Sequence, residues 1–303
     1  MTSMKTRVVI GIPVFNESQN IRHLIESIMR DPLIARGDGV VVIYDDCSID
    51  RTPEILVNVQ AQHSNNLYVY RSDIRRGKSA GLNWIATFAR DIDSQIICFL
   101  DGDIIIGENS LDKLVNCVDL SANKHIVSPP VFPLINNTKF PLRDIYILKI
   151  RGEYYRKTYR PYVNGRAFAL RTRDFPELPS NLAECDDRYL TTVFGRKGIS
   201  PCFDAVFYYY PPRCVISFVK DRAKTQFRLI RLSKIQRQRY FMLRNRRFSF
   251  FHSYLLSYPP KERALFLKSL SCRDLLAIVI EKLLTTLGKI IGEINGIALN
   301  RNI

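Results

Sequence analysis

The sequence predicts an α/β fold, with a mainly parallel sheet covered by helices and a basic helical region at the C-terminal end. Three observations predict it. Short apolar runs without polar alternation recur through the first hundred residues, as strands buried on both faces do. Segments of helical period alternate with these runs, which is the order of a parallel sheet wrapped by helices. From position 213 onward the chain turns strongly basic, with apolar residues interleaved.

Arg7 to Gly11 reads as the first strand. Glu17 to Arg30 places apolar residues at 21, 24, 25, 28 and 29, a helical spacing, with Asn16 as a candidate cap and Pro32 just past the end. Gly39 to Tyr44 is a second apolar strand, closed by Asp45-Asp46-Cys47-Ser48. Thr52 is a candidate cap for the next helix, with Pro53 at its first position. Leu67 to Tyr70 is a third strand, Lys78 to Arg90 a helix, Ile96 to Leu100 a fourth strand and Ser110 to Val118 a helix. The pattern changes between about 126 and 212, where Pro129, Pro130 and Pro133 interrupt it. There, Leu142 to Tyr159 reads as a helix, Val163 to Arg171 as a strand or a turn plus strand, and Ala183 to Phe194 as a helix entered through acids. These shifts predict one domain over 1–212, with halves at 1–125 and 126–212, and a helical region over 213–303.

The 303 residues are 46% hydrophobic, enough for a real core, and carry a net charge of +16. Such an excess predicts an anionic partner: a phosphorylated substrate, an acidic membrane surface or nucleic acid. Residues 213–247 hold twelve Lys or Arg and one acid, Asp221, in an amphipathic pattern that favours an anionic membrane surface over nucleic acid. Residues 262–298 read as one or two further amphipathic helices. The seven cysteines are scattered, with no C-x-x-C, so neither a zinc site nor a disulfide framework is expected, and reduced thiols fit a cytoplasmic protein. No signal-peptide pattern and no uncharged apolar run of membrane-spanning length is present. The expected location is cytoplasmic, peripheral on the inner face of the membrane.

The chemistry gathers at strand ends. Ile96 to Leu100 runs into Asp101-Gly102-Asp103, and ligands in such folds bind at the carboxyl ends of strands. Gly102 lets the backbone bend so that both carboxylates face one point. Paired carboxylates with substrate phosphates suit a hard cation such as Mg or Mn, although Asp-Gly-Asp also serves plain turns. Asp45 and Asp46 can bind a nucleotide or cap a helix. Gly77-Lys78 opens a helix, where free amides and the dipole add to the lysine charge and favour phosphate. Glu184, Asp186 and Asp187 crowd three acids into four residues, which raises at least one pKa toward general-base strength.

Ile12-Pro13-Val14-Phe15-Asn16-Glu17, Asp45-Asp46-Cys47-Ser48-Ile49-Asp50, Gly77-Lys78-Ser79-Ala80-Gly81-Leu82-Asn83 and Asp101-Gly102-Asp103, in this order, resemble the family 2 glycosyltransferases of GT-A, Rossmann-like fold. The resemblance implies a nucleotide-diphosphate sugar as donor, a UDP-sugar on family grounds. It implies Pro13, Phe15 and Glu17 on the donor side, Asp46 at the base, Lys78 at the diphosphate, and Asp101 and Asp103 at the metal. Asn164-Gly165-Arg166-Ala167-Phe168 is similar to the segment beside the acceptor, which places Gly165 and Arg166 there. Asp186-Asp187-Arg188-Tyr189-Leu190-Thr191 resembles the acidic motif of hyaluronan, chitin and Nod-factor synthases, which implies Asp187 as base with Glu184 and Asp186 beside it. Gln226 and Arg228 match part of a Gln-x-x-Arg-Trp element; the Trp and the membrane spans of processive members are missing.

The expected function is inverting, metal-dependent sugar transfer to an acceptor hydroxyl, with a lipid-linked or glycan acceptor favoured. Two alternatives stay open. A nucleotidyltransferase would need a glycine-rich basic loop after the first strand, and Gly11-Ile12-Pro13-Val14-Phe15 is not one. A non-catalytic scaffold would bind membrane or nucleic acid through residues 213–247.

Overall fold

Apolar runs that lack polar alternation become parallel strands. In the computed structural model these are β1 (Val8–Val14), β2 (Gly39–Asp45), β3 (Leu67–Arg71) and β4 (Ile96–Leu100). The structure describes residues 7–121, 123–134, 162–180, 182, 185–211, 214–235, 276, 279, 280, 282–291 and 294. Strands β2 and β4 are buried throughout, and β3, an edge strand, is buried only at Leu67 and partly at Val69. The helices between them are α1 (Ile21–Met29), the short α2 (Pro32–Ala35), α3 (Thr52–Gln62) and α4 (Lys78–Asp91). Helix α4 lies close on β1 because position 11 is glycine: a Cβ there would stand 2.5 Å from Ile85 Cγ2.

After β4 come β5 (Ile104–Ile106), α5 (Ser110–Leu120), β6 (Ile126–Ser128), β7 (Val131–Pro133), β8 (Ala167–Arg171), α6 (Asp186–Phe194), β9 (Ile199–Pro201), β10 (Phe207–Tyr209) and α7 (Val215–Ile235). Seven strands form one mixed sheet in the order β3-β2-β1-β4-β8-β6-β9, and β5, β10 and β7 form a smaller one. Strand β8 runs antiparallel to β4, with Leu100 opposite Ala167. That register puts the turn before β8 beside the end of β4, and the Asp101 N–H donates to the Arg166 carbonyl at 2.9 Å. The chain divides into two compact units, Met1–Phe132 with Pro161–Tyr209, and Pro133–Arg160 with Tyr210–Ile303. Among the described residues no helix is long and apolar enough to cross a membrane.

Three expectations are corrected. Asn16 does not cap α1: it adopts a left-handed backbone (φ 59°), and its side-chain oxygen accepts from the Ile49 N–H. Thr52 does not cap α3: its hydroxyl accepts from the Glu17 N–H at 2.8 Å. Each polar side chain found a partner across the loops, which competes with local capping. The cysteines are not all free: Cys117, on α5, forms a disulfide with Cys202, just past β9. Eighty-five residues separate the pair, so spacing could not show it. The expected helix over 142–159 lies outside the described residues.

Candidate active site

Parallel pairing aligns the carboxyl ends of β1, β2 and β4, and loops from all three meet there. The first two loops are tied together by side chains. Ser48 Oγ accepts from the Asn16 N–H at 2.9 Å, Asp50 Oδ2 from the Ser18 N–H at 3.2 Å, and Asp45 Oδ1 from the Ser48 N–H at 3.0 Å. Pro13, near the end of β1, and Phe15 just past it lie on this rim. The Arg75 guanidinium stacks over the Phe15 ring at 3.8 Å.

Asp46 is buried, and its two oxygens accept from the backbone N–H groups of Arg76 (2.7 Å) and Gly77 (2.8 Å). Asp46 thus fixes the two amides that lead into α4. Gly77 has φ 87° and ψ 165°, a conformation essentially reserved for glycine, and this bend feeds Lys78 into the first turn of α4.

Lys78 is the meeting point. Its Nζ donates to Asp101 Oδ1 at 2.6 Å and to the Gly165 carbonyl at 2.9 Å, and stands 3.3 Å from Asp186 Oδ2. The last is an ion pair without aligned hydrogen-bond geometry. Burial works against the ammonium, but Asp101 and Asp186 outweigh it and hold its pKa above the ordinary value. One cation thus joins the end of β4, the turn before β8 and the start of α6.

Gly165 makes the approach of α6 possible: a Cβ there would lie 3.1 Å from Asp187 Cβ and 3.5 Å from Asp186 Oδ2. Asp186 is buried. Burial pushes its pKa up to about 6; Lys78 pulls it down, and Asp187 and Asp101 add to the rise. Asp187 is more accessible, and its pKa is also raised, chiefly by burial and against the pull of Arg188 and Lys78. The Asp187 carboxylate accepts from the Arg188 N–H at 2.8 Å. Arg166 stacks over Tyr209 at 4.3 Å.

Asp101 and Asp103 offer hard oxygen ligands, and their surroundings hold surplus negative charge. Glu17 packs on Gly102, where a Cβ would lie 2.9 Å from its Cγ. Burial pushes the Glu17 pKa up to about 7, against a hydrogen bond from Asn20, with Asp103 and Asp101 adding to the rise. Asp103 is raised by burial and by Asp101. Among the described residues no three His, Cys, Asp or Glu converge as a closed metal site. The donor set fits an open site, in which two carboxylates and substrate phosphates share a Mg or Mn ion.

Of the residues singled out in the sequence, Glu17, Lys78, Asp101, Asp103, Gly165, Arg166, Asp186 and Asp187 come together. Glu184 and the side chain of Arg228 lie outside the described residues, and Gln226 stands on α7 in the other unit. The sequence reading missed Arg75, Asn20 and Tyr209. The Tyr208-Tyr209-Tyr210 run was a visible signal for the last.

The chain matches the family model described as Glycosyl transferase family 2 over residues 9–175. A stretch of 123 residues, 41% of the chain, is 26% identical to the minor teichoic acid biosynthesis protein GgaA of Bacillus subtilis (strain 168), and it spans 27% of that relative's length. Among solved structures, the mannosyltransferase PcManGT from Pyrobaculum calidifontis, in complex with GDP-Man and Mn2+, is similar over 97% of this chain and 88% of its own (TM-score 0.63, 18% identity). TarS 1-349 of S. aureus, in complex with UDP, is similar over 94% and 88% (TM-score 0.52, 15% identity). At these identities the structural likeness speaks for the fold.

Proposed function

The chain belongs to glycosyl transferase family 2, and from that premise we propose that it is an inverting, metal-dependent enzyme that moves a sugar from a nucleotide-diphosphate donor to an acceptor hydroxyl. The observation that carries this reading is the convergence on Lys78 of Asp101, the Gly165 turn and Asp186. It brings the carboxylates suited to a metal and donor within one lysine of those suited to a base. The complexes of the similar structures with GDP-Man and Mn2+ and with UDP lend support to a nucleotide sugar and a divalent ion. A UDP-sugar is the donor we favour, and an acceptor that is a glycan or lipid-linked glycan.

Asp101 and Asp103 would hold the cation, Mg or Mn, which supplies positive charge against the departing nucleotide diphosphate. The remaining work falls to the chain. Pro13, Phe15 and Glu17 line the donor side, and Asp46 fixes the loop that leads to Lys78. Asp187 takes the proton of the acceptor hydroxyl as that oxygen attacks the anomeric carbon. The bond from that carbon to the diphosphate oxygen breaks, and its electron pair leaves with the nucleotide. One displacement inverts the carbon through an oxocarbenium-like transition state. Asp187 is the better base of the pair because it is reachable, whereas Asp186 is buried against Lys78. Gly165 and Arg166 face the acceptor; Gln226 and Arg228 are assigned to it by resemblance alone.

The test is thermal stabilisation by a panel of nucleotides, with and without Mn or Mg, since a ligand that binds only the folded state raises its stability. We expect a metal-dependent rise with UDP. A rise with GDP alone would replace the donor base, and no rise with any nucleotide and metal would overturn the donor site.

A further inference from the structure

The C-terminal unit contains a helix built inside out. Residues 282–291 are helical, as are 276, 279, 280 and 294. The side that meets α7 is small: Thr285 is buried, and a Cβ on Gly288 would lie 2.5 Å from Arg222 Cβ and 3.0 Å from the Val219 carbonyl. Ile280 and Leu284 are half-buried, and most of the other large apolar residues point the other way. Leu276, Val279, Leu283, Leu287, Ile290 and Ile294 are 47–65% exposed, and their spacings of three and four place them on one stripe. A helix of a soluble domain does the reverse, and a contiguous apolar surface of this kind marks an interaction site.

We propose that this stripe docks on an anionic lipid surface, lying in the plane of the headgroups. Charge selects the partner. Residues 210–303 hold 19 Lys and Arg against five acids, so fourteen of the sixteen excess positive charges of the chain sit in the segment with the stripe. Lys282, on the same helix, and Lys220 and Lys224, on α7, are exposed. Apolar side chains with flanking cations are the pattern of a helix that inserts shallowly and is held by acidic headgroups. A second copy of the chain would bring two such segments together, each with an excess of fourteen positive charges. The inference extends the expected contact of residues 213–247 to a new face, and it does not depend on the catalytic reading.

Flotation of the full chain with phosphatidylcholine vesicles, with and without phosphatidylglycerol, tests it. Binding is expected only with the acidic lipid, weakening as salt rises. The double variant L283N/L287N should lower partitioning by about tenfold or more, because two apolar side chains no longer leave water. Both positions are exposed, so its thermal transition should match that of the parent. Equal flotation with both vesicle types, or none with either, overturns the proposal, and so does an unchanged double variant. A concentration-dependent dimer in sedimentation velocity that the same variant abolishes overturns it in favour of a second copy.

Discussion

Lys78 donates two hydrogen bonds, to Asp101 and to the Gly165 carbonyl, and forms an ion pair with Asp186, so the charge state of the acids around it decides how the centre behaves. Asp187→Asn keeps the shape and removes the proposed base. Turnover should fall by about two to four orders of magnitude while the nucleotide-induced thermal shift persists. Loss of that shift would move Asp187 to the donor side. The Asp187 carboxyl also sets the pH profile: burial raises it above the ordinary carboxylate value of 3.8, so kcat/KM should fall with acidification at a higher pH than a free carboxylate would show, and level off above that fall. An unchanged rate at pH below 3.8 would rule out a carboxylate base. Glu17 has no proton-transfer part in the proposed reaction, so its titration is read in stability. Its pKa lies at about 7 in the fold against an ordinary 4.5, so the folded state favours the protonated form. Its stabilising contribution is complete below about pH 4.5 and is lost as pH rises through about 7. Glu17→Gln, neutral at every pH, should therefore exceed the parent in stability above pH 7, by roughly 1–3 kcal/mol in a chelating buffer, and match it below 4.5. Thermal melts across that range read the difference, and a variant weaker than the parent at high pH would contradict the electrostatic account.

Close approaches of helix to strand set the frame around those residues. At Gly11 an added methyl would stand 2.5 Å from Ile85 Cγ2, so Gly11→Ala must push α4 from β1. Overpacking of that kind costs about 1–3 kcal/mol, and because α4 carries Lys78, the nucleotide shift should weaken along with the melting temperature. A lowered melting temperature with unaltered nucleotide binding would show that α4 yields elsewhere. The sequence was most legible where a single strong pattern ruled. The run Ile96 to Leu100 is strand β4 without a residue of difference, and Lys78 to Arg90 is α4 short of one residue. It was least legible where a polar side chain had a choice. Asn16, Ser48, Asp50 and Thr52 each satisfy local turn or cap rules, yet in the fold they tie the loops after β1 and β2 to each other. Asp46 reads in the sequence as a ligand for substrate, and the fold adds a second role, since its carboxylate holds the Arg76 and Gly77 amides. Only the register of the parallel strands brings these partners together, and register is not written in any one segment.

Over the length of the chain, the feature that sequence reasoning had reversed is the state of its thiols. Cys117 on α5 and Cys202 beyond β9 close a loop with a sequence separation of 85. The bridge anchors the segment that runs on to β10, where Tyr209 lies beneath Arg166. A cross-link of that span restricts the unfolded chain more than the folded one, worth about 4.6 kcal/mol in the chain-entropy account. Reductant should therefore lower the melting temperature of the parent by several degrees, while Cys117→Ser should melt low from the start and ignore reductant. Peptide mapping without reduction should recover the two cysteines in one linked fragment. Free thiols at both positions in the purified protein, with melting indifferent to reductant, would mean that packing alone holds α5 to β9. The outcome bears on where the chain works as well as on how it folds. A bridge that forms and persists needs an oxidising setting, whereas a nucleotide-sugar donor and reduced thiols point to the cytoplasm. The redox state of this one pair in the cell therefore discriminates between the two settings.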